Sequence, residues 1–166
     1  QIYFLMKYKL LILDLDGTTV PSKEDGMPSR KVTEALRKVH GKIMISVASG
    51  RPFYLAKNIL KTLNIDGPCV LDGGSQILDV KTGKILFERF LSIGKQKEIL
   101  KLVLPYSYEI YRSQEGSRLM KSVDDVNEPT GKFVVVGSTQ ENTIKILEEL
   151  TAVTGIAVHP VNFSWA

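Results

Sequence analysis

Two aspartates stand two positions apart at the end of an apolar run. Asp14 follows the run LLIL at residues 10–13, and Asp16 is followed by Gly17 and Thr18. A buried carboxylate is costly unless a metal or hydrogen bonds compensate it. Phosphoryl transfer needs such a pair: one carboxylate attacks phosphorus and binds a cation, while the other donates a proton to the leaving oxygen and then activates water. The cation would be Mg²⁺, which prefers oxygen ligands and bridges to phosphate.

A second polar cluster follows a second apolar run. The turn ASGR at residues 48–51 offers the Ser49 hydroxyl, the Gly50 N–H and the Arg51 side chain at the start of a predicted helix. A helix N-terminus favours anions through its dipole and its unpaired N–H groups. We therefore expect Ser49, Gly50 and Arg51, together with Thr18, to bind a phosphate group.

A simpler interpretation of Asp14 and Asp16 is a solvated turn in which the carboxylates cap backbone N–H groups. An isolated Asp-x-Asp-Gly tetrapeptide favours that interpretation. Here the tetrapeptide follows LLIL, precedes Thr18 and Thr19, and is accompanied by a second strand that ends in ASGR. These neighbours together favour a phosphate site.

The patterns around both clusters predict a parallel sheet. A continuous apolar run closed by a turn signal is typical of a buried parallel strand, although periodicity alone leaves a buried helix open. The predicted strands span residues 10–13, 43–47 and 68–71, and they alternate with a helix between Ser29 and Gly41 and a helix at 53–63. This order is typical of a parallel sheet with right-handed crossovers, which binds ligands at the carboxyl ends of its strands.

Beyond residue 75 the pattern changes to an antiparallel α/β unit. Its predicted elements are a hairpin around Thr82 and Gly83, helices at 94–104 and 139–150, and strands at 108–112, 117–122, 132–137 and 156–160. We therefore expect an α/β protein with a partial parallel core over residues 1–78, approximately, and a second α+β domain over residues 79–166.

Composition excludes several classes of function. The 166 residues are 43% hydrophobic and 24% charged, with a net charge of +4, which is typical of a globular protein. The sequence has no basic cluster with interleaved aromatic residues, so we expect no nucleic-acid partner. It also has no apolar span as long as a membrane helix. The single cysteine, Cys69, excludes an internal disulfide and favours the cytoplasm. His40 and His159 lack partners spaced for a zinc site.

Four stretches resemble the haloacid dehalogenase (HAD) superfamily of phosphatases. DLDGTTV at 14–20 resembles its first motif, and ASGR at 48–51 resembles its second motif, which more often has Thr for Ser. The turn DGGS at 72–75 and the hairpin QILDVKTGKI at 76–85 resemble the point where the Cof-like branch, with its C2-type subclass B cap, enters that cap. The resemblance implies a HAD-like Rossmannoid core followed by an α+β cap domain.

The resemblance also implies the role of each site residue. Asp14 would be the nucleophile that becomes an aspartyl-phosphate, Asp16 the general acid and base, and Ser49 the phosphate-binding hydroxyl. The Asp14 carboxylate and the Asp16 backbone carbonyl would be two of the Mg²⁺ ligands. The cap would cover the site and select a small phosphorylated metabolite, such as a sugar phosphate or phosphoglycolate.

The sequence departs from the family after the cap. The family supplies a phosphate-binding Lys and then a Gly-Asp…Asp motif that completes the Mg²⁺ site, whereas this sequence has no Lys after Lys145 and no Gly-Asp pair. We expect a chain truncated before these third and fourth motifs, lacking the last acidic metal ligand and inactive or weakly active by itself. The strand at 10–13 would then have an open edge, which favours self-association.

Two other classes of function stay open at this point. One is a non-catalytic remnant, a binding or assembly module that keeps the phosphate cradle without the full metal site. The other is a receiver-like domain, which also carries an aspartate at a strand end. The ASGR turn and the long antiparallel segment count against the receiver.

Overall fold

The computed structural model describes residues 8–23, 25–113 and 118–160. Two compact units divide the chain between Glu88 and Arg89. The predicted α/β class is confirmed, with four α-helices and both parallel and antiparallel strands among the described residues.

The first unit is built on the predicted parallel strands. β1 pairs in parallel with β2, and a single parallel bridge between Ala48 and Val70 links β2 to β3, which continues into an antiparallel meander. Gly83, with φ +71°, lies in the turn of the predicted hairpin. The strands are β1 (Leu10–Leu13), β2 (Met44–Val47), β3 (Pro68–Leu71), β4 (Gln76–Asp79) and β5 (Lys84–Glu88).

Two helices connect the parallel strands. α1 (Arg30–Val39) begins after Ser29, whose hydroxyl accepts a hydrogen bond from the Val32 N–H, as expected for an N-cap. α2 (Phe53–Thr62) begins after Pro52, whose side chain makes no capping hydrogen bond. The buried side chains of both helices join those of the strands in one apolar core, which fixes the strand ends that carry the polar clusters.

Leu15 belongs to this core although it lies between the two aspartates. Its side chain is 0% exposed, whereas Leu10 in β1 is 46% exposed. We expect Leu15→Ala to lower the free energy of unfolding by about 2–5 kcal/mol, because a fully buried leucine leaves a cavity. Leu10→Ala, the matched control, should cost less than about 1 kcal/mol. Equal losses for the two variants in urea denaturation would contradict this packing.

The second unit is an antiparallel sheet packed on two helices. The strand order is β7-β6-β8, and the apolar core is formed by residues of the helices, β6 and the following segments. An ion pair joins the buried Arg112, which is 2% exposed, to Glu128, which is 52% exposed. The elements are α3 (Ile93–Val103), β6 (Ser107–Arg112), β7 (Arg118–Leu119), β8 (Phe133–Gly137) and α4 (Gln140–Thr151).

Two strand predictions in this unit need correction. The segment 156–160 forms no strand. Its apolar alternation arises because Ile156 and Val158 pack against the core as an irregular segment, and Pro160 lacks a backbone donor. The strand predicted at 117–122 is limited to Arg118–Leu119, followed by a 3₁₀ helix at Val123–Asp125. Ser117 lies outside the described residues.

The boundary between the units falls later than residue 78. β4 and β5 extend the sheet of β3 through antiparallel pairing, so the hairpin groups with the first unit. The assignment of residues 79–166 as a cap domain stays a prediction.

β1 lies at an edge of its sheet. In the described part of the chain only β2 pairs with it, and Ile12 in β1 is 55% exposed. Self-association through this edge stays a prediction, which light scattering of the purified chain can test. Among the described residues, no helix is long and apolar enough to cross a membrane.

Candidate active site

The polar clusters meet at the carboxyl ends of the parallel strands. The Ala48 N–H donates to the Leu13 carbonyl at 2.9 Å, which joins the end of β2 to the end of β1. The Ser49 N–H donates to the Val70 carbonyl at 2.9 Å, which joins the same turn to β3. The predicted clusters at 14–18 and 48–51 are therefore held side by side by the backbone.

Asp14 is exposed and oriented by the threonines that follow it. The Thr18 hydroxyl donates to Asp14 Oδ2 at 3.0 Å. The Thr19 hydroxyl, which is buried, donates to the Asp14 carbonyl at 2.5 Å. These bonds fix the carboxylate at the end of β1 while it stays accessible. Thr18, predicted to bind phosphate, here contacts the carboxylate of the predicted nucleophile.

A tight turn places Asp14 and Asp16 on the accessible side of the chain. The carbonyl of the buried Leu15 accepts hydrogen bonds from the N–H groups of Thr18, Thr19 and Val20. Gly17 has φ +72°, and a Cβ there would lie 2.9 Å from Ser22 Oγ. The left-handed backbone favours glycine after Asp16, and a side chain there would also have to displace the Ser22 hydroxyl.

Asp16 forms an ion pair with Arg51, which differs from the phosphate-binding role predicted for Arg51. Arg51 Nε lies 3.1 and 3.0 Å from the two Asp16 carboxylate oxygens, and Nη2 lies 2.5 Å from Oδ1. Arg51 Nη2 also donates to the Lys23 carbonyl at 2.7 Å. The Arg51 side chain is 7% exposed and that of Asp16 38%. A guanidinium group pairs with a carboxylate in this way. The Arg51 guanidinium therefore binds the Asp16 carboxylate.

Ser49 and Gly50 occupy the turn between β2 and α2. The Ser49 side chain is 8% exposed, and its hydroxyl oxygen accepts a hydrogen bond from the Arg51 N–H at 3.1 Å. Gly50 is exposed, and a Cβ there would meet no atom within 4 Å. The fold therefore does not require glycine at this position, and its absent side chain leaves the space beside Ser49 open.

The oxygen donors at this edge suit Mg²⁺ in kind. The Asp14 carboxylate and the Asp16 carbonyl are hard ligands, and Mg²⁺ is commonly held by one or two carboxylates with phosphate and water completing the shell. Within the described ranges no group of three or more His, Cys, Asp and Glu residues could hold a metal. The Asp16 carboxylate is paired with Arg51, which leaves its backbone carbonyl as the donor that fits.

Two contacts at the site were not predicted from sequence. The Arg51–Asp16 pair spans 35 positions, and no local pattern indicates such a partner. The Lys23 carbonyl enters the site only through the loop between β1 and α1. The hydrogen bond of the Thr19 hydroxyl could have been expected from the motif, because threonine hydroxyls in turns often bond to nearby backbone groups.

The smaller candidates lie in structural positions. Cys69 is 0% exposed, and burial raises the pKa of its thiol, so it packs as a small core residue as predicted. His40 caps the C-terminus of α1 and lies 3.3 Å from the Asn64 side-chain amide. Arg112 on β6 is 2% exposed and pairs with the half-exposed Glu128.

A family model described as haloacid dehalogenase-like hydrolase matches residues 11–159. The match includes both predicted motifs and most of the second unit. No curated protein matches the sequence.

Solved structures share the fold. A haloacid dehalogenase-like hydrolase from Bacteroides thetaiotaomicron is 22% identical with a TM-score of 0.69 over 88% of this chain and 64% of its own. A sugar phosphatase of HAD subclass IIB is 18% identical, with a TM-score of 0.66 over 86% of this chain and 64% of its own. A Thermotoga maritima protein is 17% identical, with a TM-score of 0.64 over 87% of this chain and 61% of its own. The chain thus spans less than two thirds of the length of these structures.

Proposed function

Because the chain belongs to the haloacid dehalogenase-like hydrolase family, we propose that it carries the phosphoryl-transfer site of a phosphatase acting on a small phosphorylated metabolite. The observation that carries the proposal is the arrangement of Asp14 and Asp16. One carboxylate is accessible and oriented by a threonine, and the other is held by a buried arginine at the same strand end.

In the proposed reaction, Asp14 forms and breaks the bond to phosphorus, and Asp16 gives and takes the proton. In the first step, an Asp14 carboxylate oxygen attacks phosphorus while the bond to the leaving oxygen breaks, and Asp16 gives that oxygen a proton. In the second step, water attacks phosphorus and gives a proton to Asp16, and the bond from phosphorus to Asp14 breaks. The chain is thereby returned to its starting state, with one alcohol and one phosphate released.

Charge on the transferring group would be neutralised by backbone and hydroxyl donors. The Ser49 hydroxyl, the Gly50 N–H and the positive end of the α2 dipole support anion binding at this edge. The Asp14 carboxylate and the Asp16 carbonyl would hold Mg²⁺, which supplies positive charge beside the phosphate oxygens.

The structural relatives indicate which class of ester to test first. One structural relative is titled a sugar phosphatase, so sugar phosphates are the first esters to test. We propose that the second unit, residues 89–166, contributes the selection among esters, since the groups of the first unit would act only on phosphate. The non-catalytic alternative is not favoured, because the accessible Asp14 and the paired Asp16 are groups that a binding module does not need.

Phosphate release by the purified chain tests the proposal. We expect slow, Mg²⁺-dependent release from p-nitrophenyl phosphate and from a panel of sugar phosphates, detectable with the chain in excess over ester. EDTA should abolish the release. No release from any ester, with the chain shown to be folded by circular dichroism, would favour the non-catalytic module.

Ser49→Ala should lower kcat/KM for phosphate esters. A hydrogen bond to a charged group is worth about 1.5–3 kcal/mol, so kcat/KM should fall roughly 10- to 100-fold. Ser49→Thr keeps the hydroxyl and should retain most of the activity.

Ser46→Ala is the matched control for this prediction. Ser46 is also buried, but its hydroxyl donates to the Pro68 carbonyl inside the sheet. Its loss should lower stability without changing kcat/KM. Similar kinetics for the Ser46 and Ser49 variants would contradict a phosphate-binding role for Ser49.

A further inference from the structure

Arg51 is held in place on both its backbone and its side chain. Its N–H donates to Ser49 Oγ at 3.1 Å, and its carbonyl accepts from the Asp72 N–H at 2.9 Å. Its guanidinium is buried and contacts both Asp16 oxygens and the Lys23 carbonyl. A group anchored in this way has little freedom to turn toward a bound ester.

The guanidinium determines where the Asp16 carboxylate can lie. Nε lies almost equally far from the two oxygens, 3.1 and 3.0 Å, and Nη2 approaches Oδ1 at 2.5 Å. Because the fork is planar and rigid, it fixes the plane of the carboxylate as well as its position. The bond to the Lys23 carbonyl ties the same guanidinium to the loop that follows the motif.

We propose that Arg51 is a positioning residue for Asp16, a role that rests on the proposed phosphatase function. When Asp16 gives its proton to the leaving oxygen, it gains the negative charge that Arg51 stabilises. When water later gives a proton to Asp16, that charge is lost again. Arg51 therefore favours the step in which the leaving oxygen is protonated, and its effect scales with how much protonation the leaving group needs.

The leaving group separates this role from phosphate binding. Alkyl esters need a proton on the departing oxygen, whereas p-nitrophenolate departs largely without one. For Arg51→Met we expect kcat on an alkyl phosphate to fall about 100-fold, within the range of general acid catalysis. On p-nitrophenyl phosphate the fall should be less than about 5-fold, and KM should change little for either ester.

Matched variants keep the test specific. Arg51→Lys keeps the charge without the fork and should give an intermediate loss. Added guanidinium ion should restore part of the alkyl-ester activity of Arg51→Ala. Arg30→Met is the control, since Arg30 is exposed and pairs with Glu34 on α1. Arg30→Met should leave kcat unchanged for both esters.

The inference is overturned if Arg51→Met raises KM for both esters equally and leaves the ratio of their kcat values unchanged, because that pattern indicates phosphate binding. If the wild-type chain releases phosphate from no ester, the proposed function fails, and a stability measurement then tests whether Arg51 holds Asp16. The variants Arg51→Met and Asp16→Asn and their double variant form a double-mutant cycle, in which the unfolding midpoints in urea are compared. A double variant that loses less than the sum of the single losses supports the pairing, and additive losses overturn it.

Discussion

Replacing Asp14 by Asn is expected to slow phosphoryl transfer at least about a thousandfold, because the amide lacks the nucleophilic charge of the carboxylate. The fold should be preserved, since Asp14 is exposed and the amide oxygen can still accept the Thr18 hydrogen bond. We would measure single-turnover release from p-nitrophenyl phosphate with the chain in excess and Mg²⁺ present. The free energy of unfolding should change by no more than about 0.5 kcal/mol.

Asp25→Asn provides the matched control for the Asp14 result. It removes the same charge from the same unit at a side chain that is 83% exposed and forms a salt bridge with Lys23. Its rate should equal that of the wild-type chain. Residual Mg²⁺-dependent release by Asp14→Asn within about tenfold of the wild-type rate would remove Asp14 from the mechanism.

Replacing Asp16 by Asn should produce the second large effect, and it should fall on the second step. The amide cannot take a proton from water, so turnover should fall by about 10²- to 10⁴-fold while the phosphorylated chain accumulates from an aryl ester. Intact mass spectrometry at timed intervals would follow this accumulation. The wild-type chain should show a smaller phosphorylated fraction at every time.

Asp16→Asn also has a structural cost. The substitution leaves the buried Arg51 without its counter-charge, so we expect a loss of about 1–3 kcal/mol in the free energy of unfolding. This expected loss is smaller than the loss for a fully buried pair, because Asp16 is 38% exposed. An Asp16→Asn chain that turns over at the wild-type rate, or that never accumulates the phosphorylated form while turnover is lost, would contradict the role of Asp16 as base.

The strand ends were predictable because their signals are local. An apolar run closed by Asp14 and Gly17 predicts a strand and a turn without reference to the rest of the chain, and Ser29 predicts the start of α1 in the same way. Parallel pairing then brings the two strand ends together. The neighbourhood of the site thus follows from the order of the elements.

The pairing within the site was less predictable because it is not local. The sequence places Arg51 beside a helix N-terminus, which favours phosphate binding, whereas packing buries its side chain against Asp16. Arg112 shows the same limit, since nothing local in the sequence indicates its partner, and the structure pairs it with Glu128, 16 positions away. Partners that lie far apart in sequence are set by tertiary contacts.

The apolar alternation at 156–160 misled the prediction for a related reason. A period of two places Ile156 and Val158 on one side of an extended segment, and both pack against the core of the second unit. A strand also needs a neighbouring backbone to pair with. The side-chain pattern carries no information about that neighbour.

Mapping the phosphoryl group on the chain tests the central claim most directly. The purified chain would be incubated with Mg²⁺ and p-nitrophenyl phosphate, quenched, digested and analysed by mass spectrometry. We predict a single phosphoryl group on the peptide that contains Asp14, removed by hydroxylamine as expected for an acyl phosphate and absent from Asp14→Asn. A phosphoryl group on another residue, or one that persists in Asp14→Asn, would contradict the assignment of Asp14 as the nucleophile.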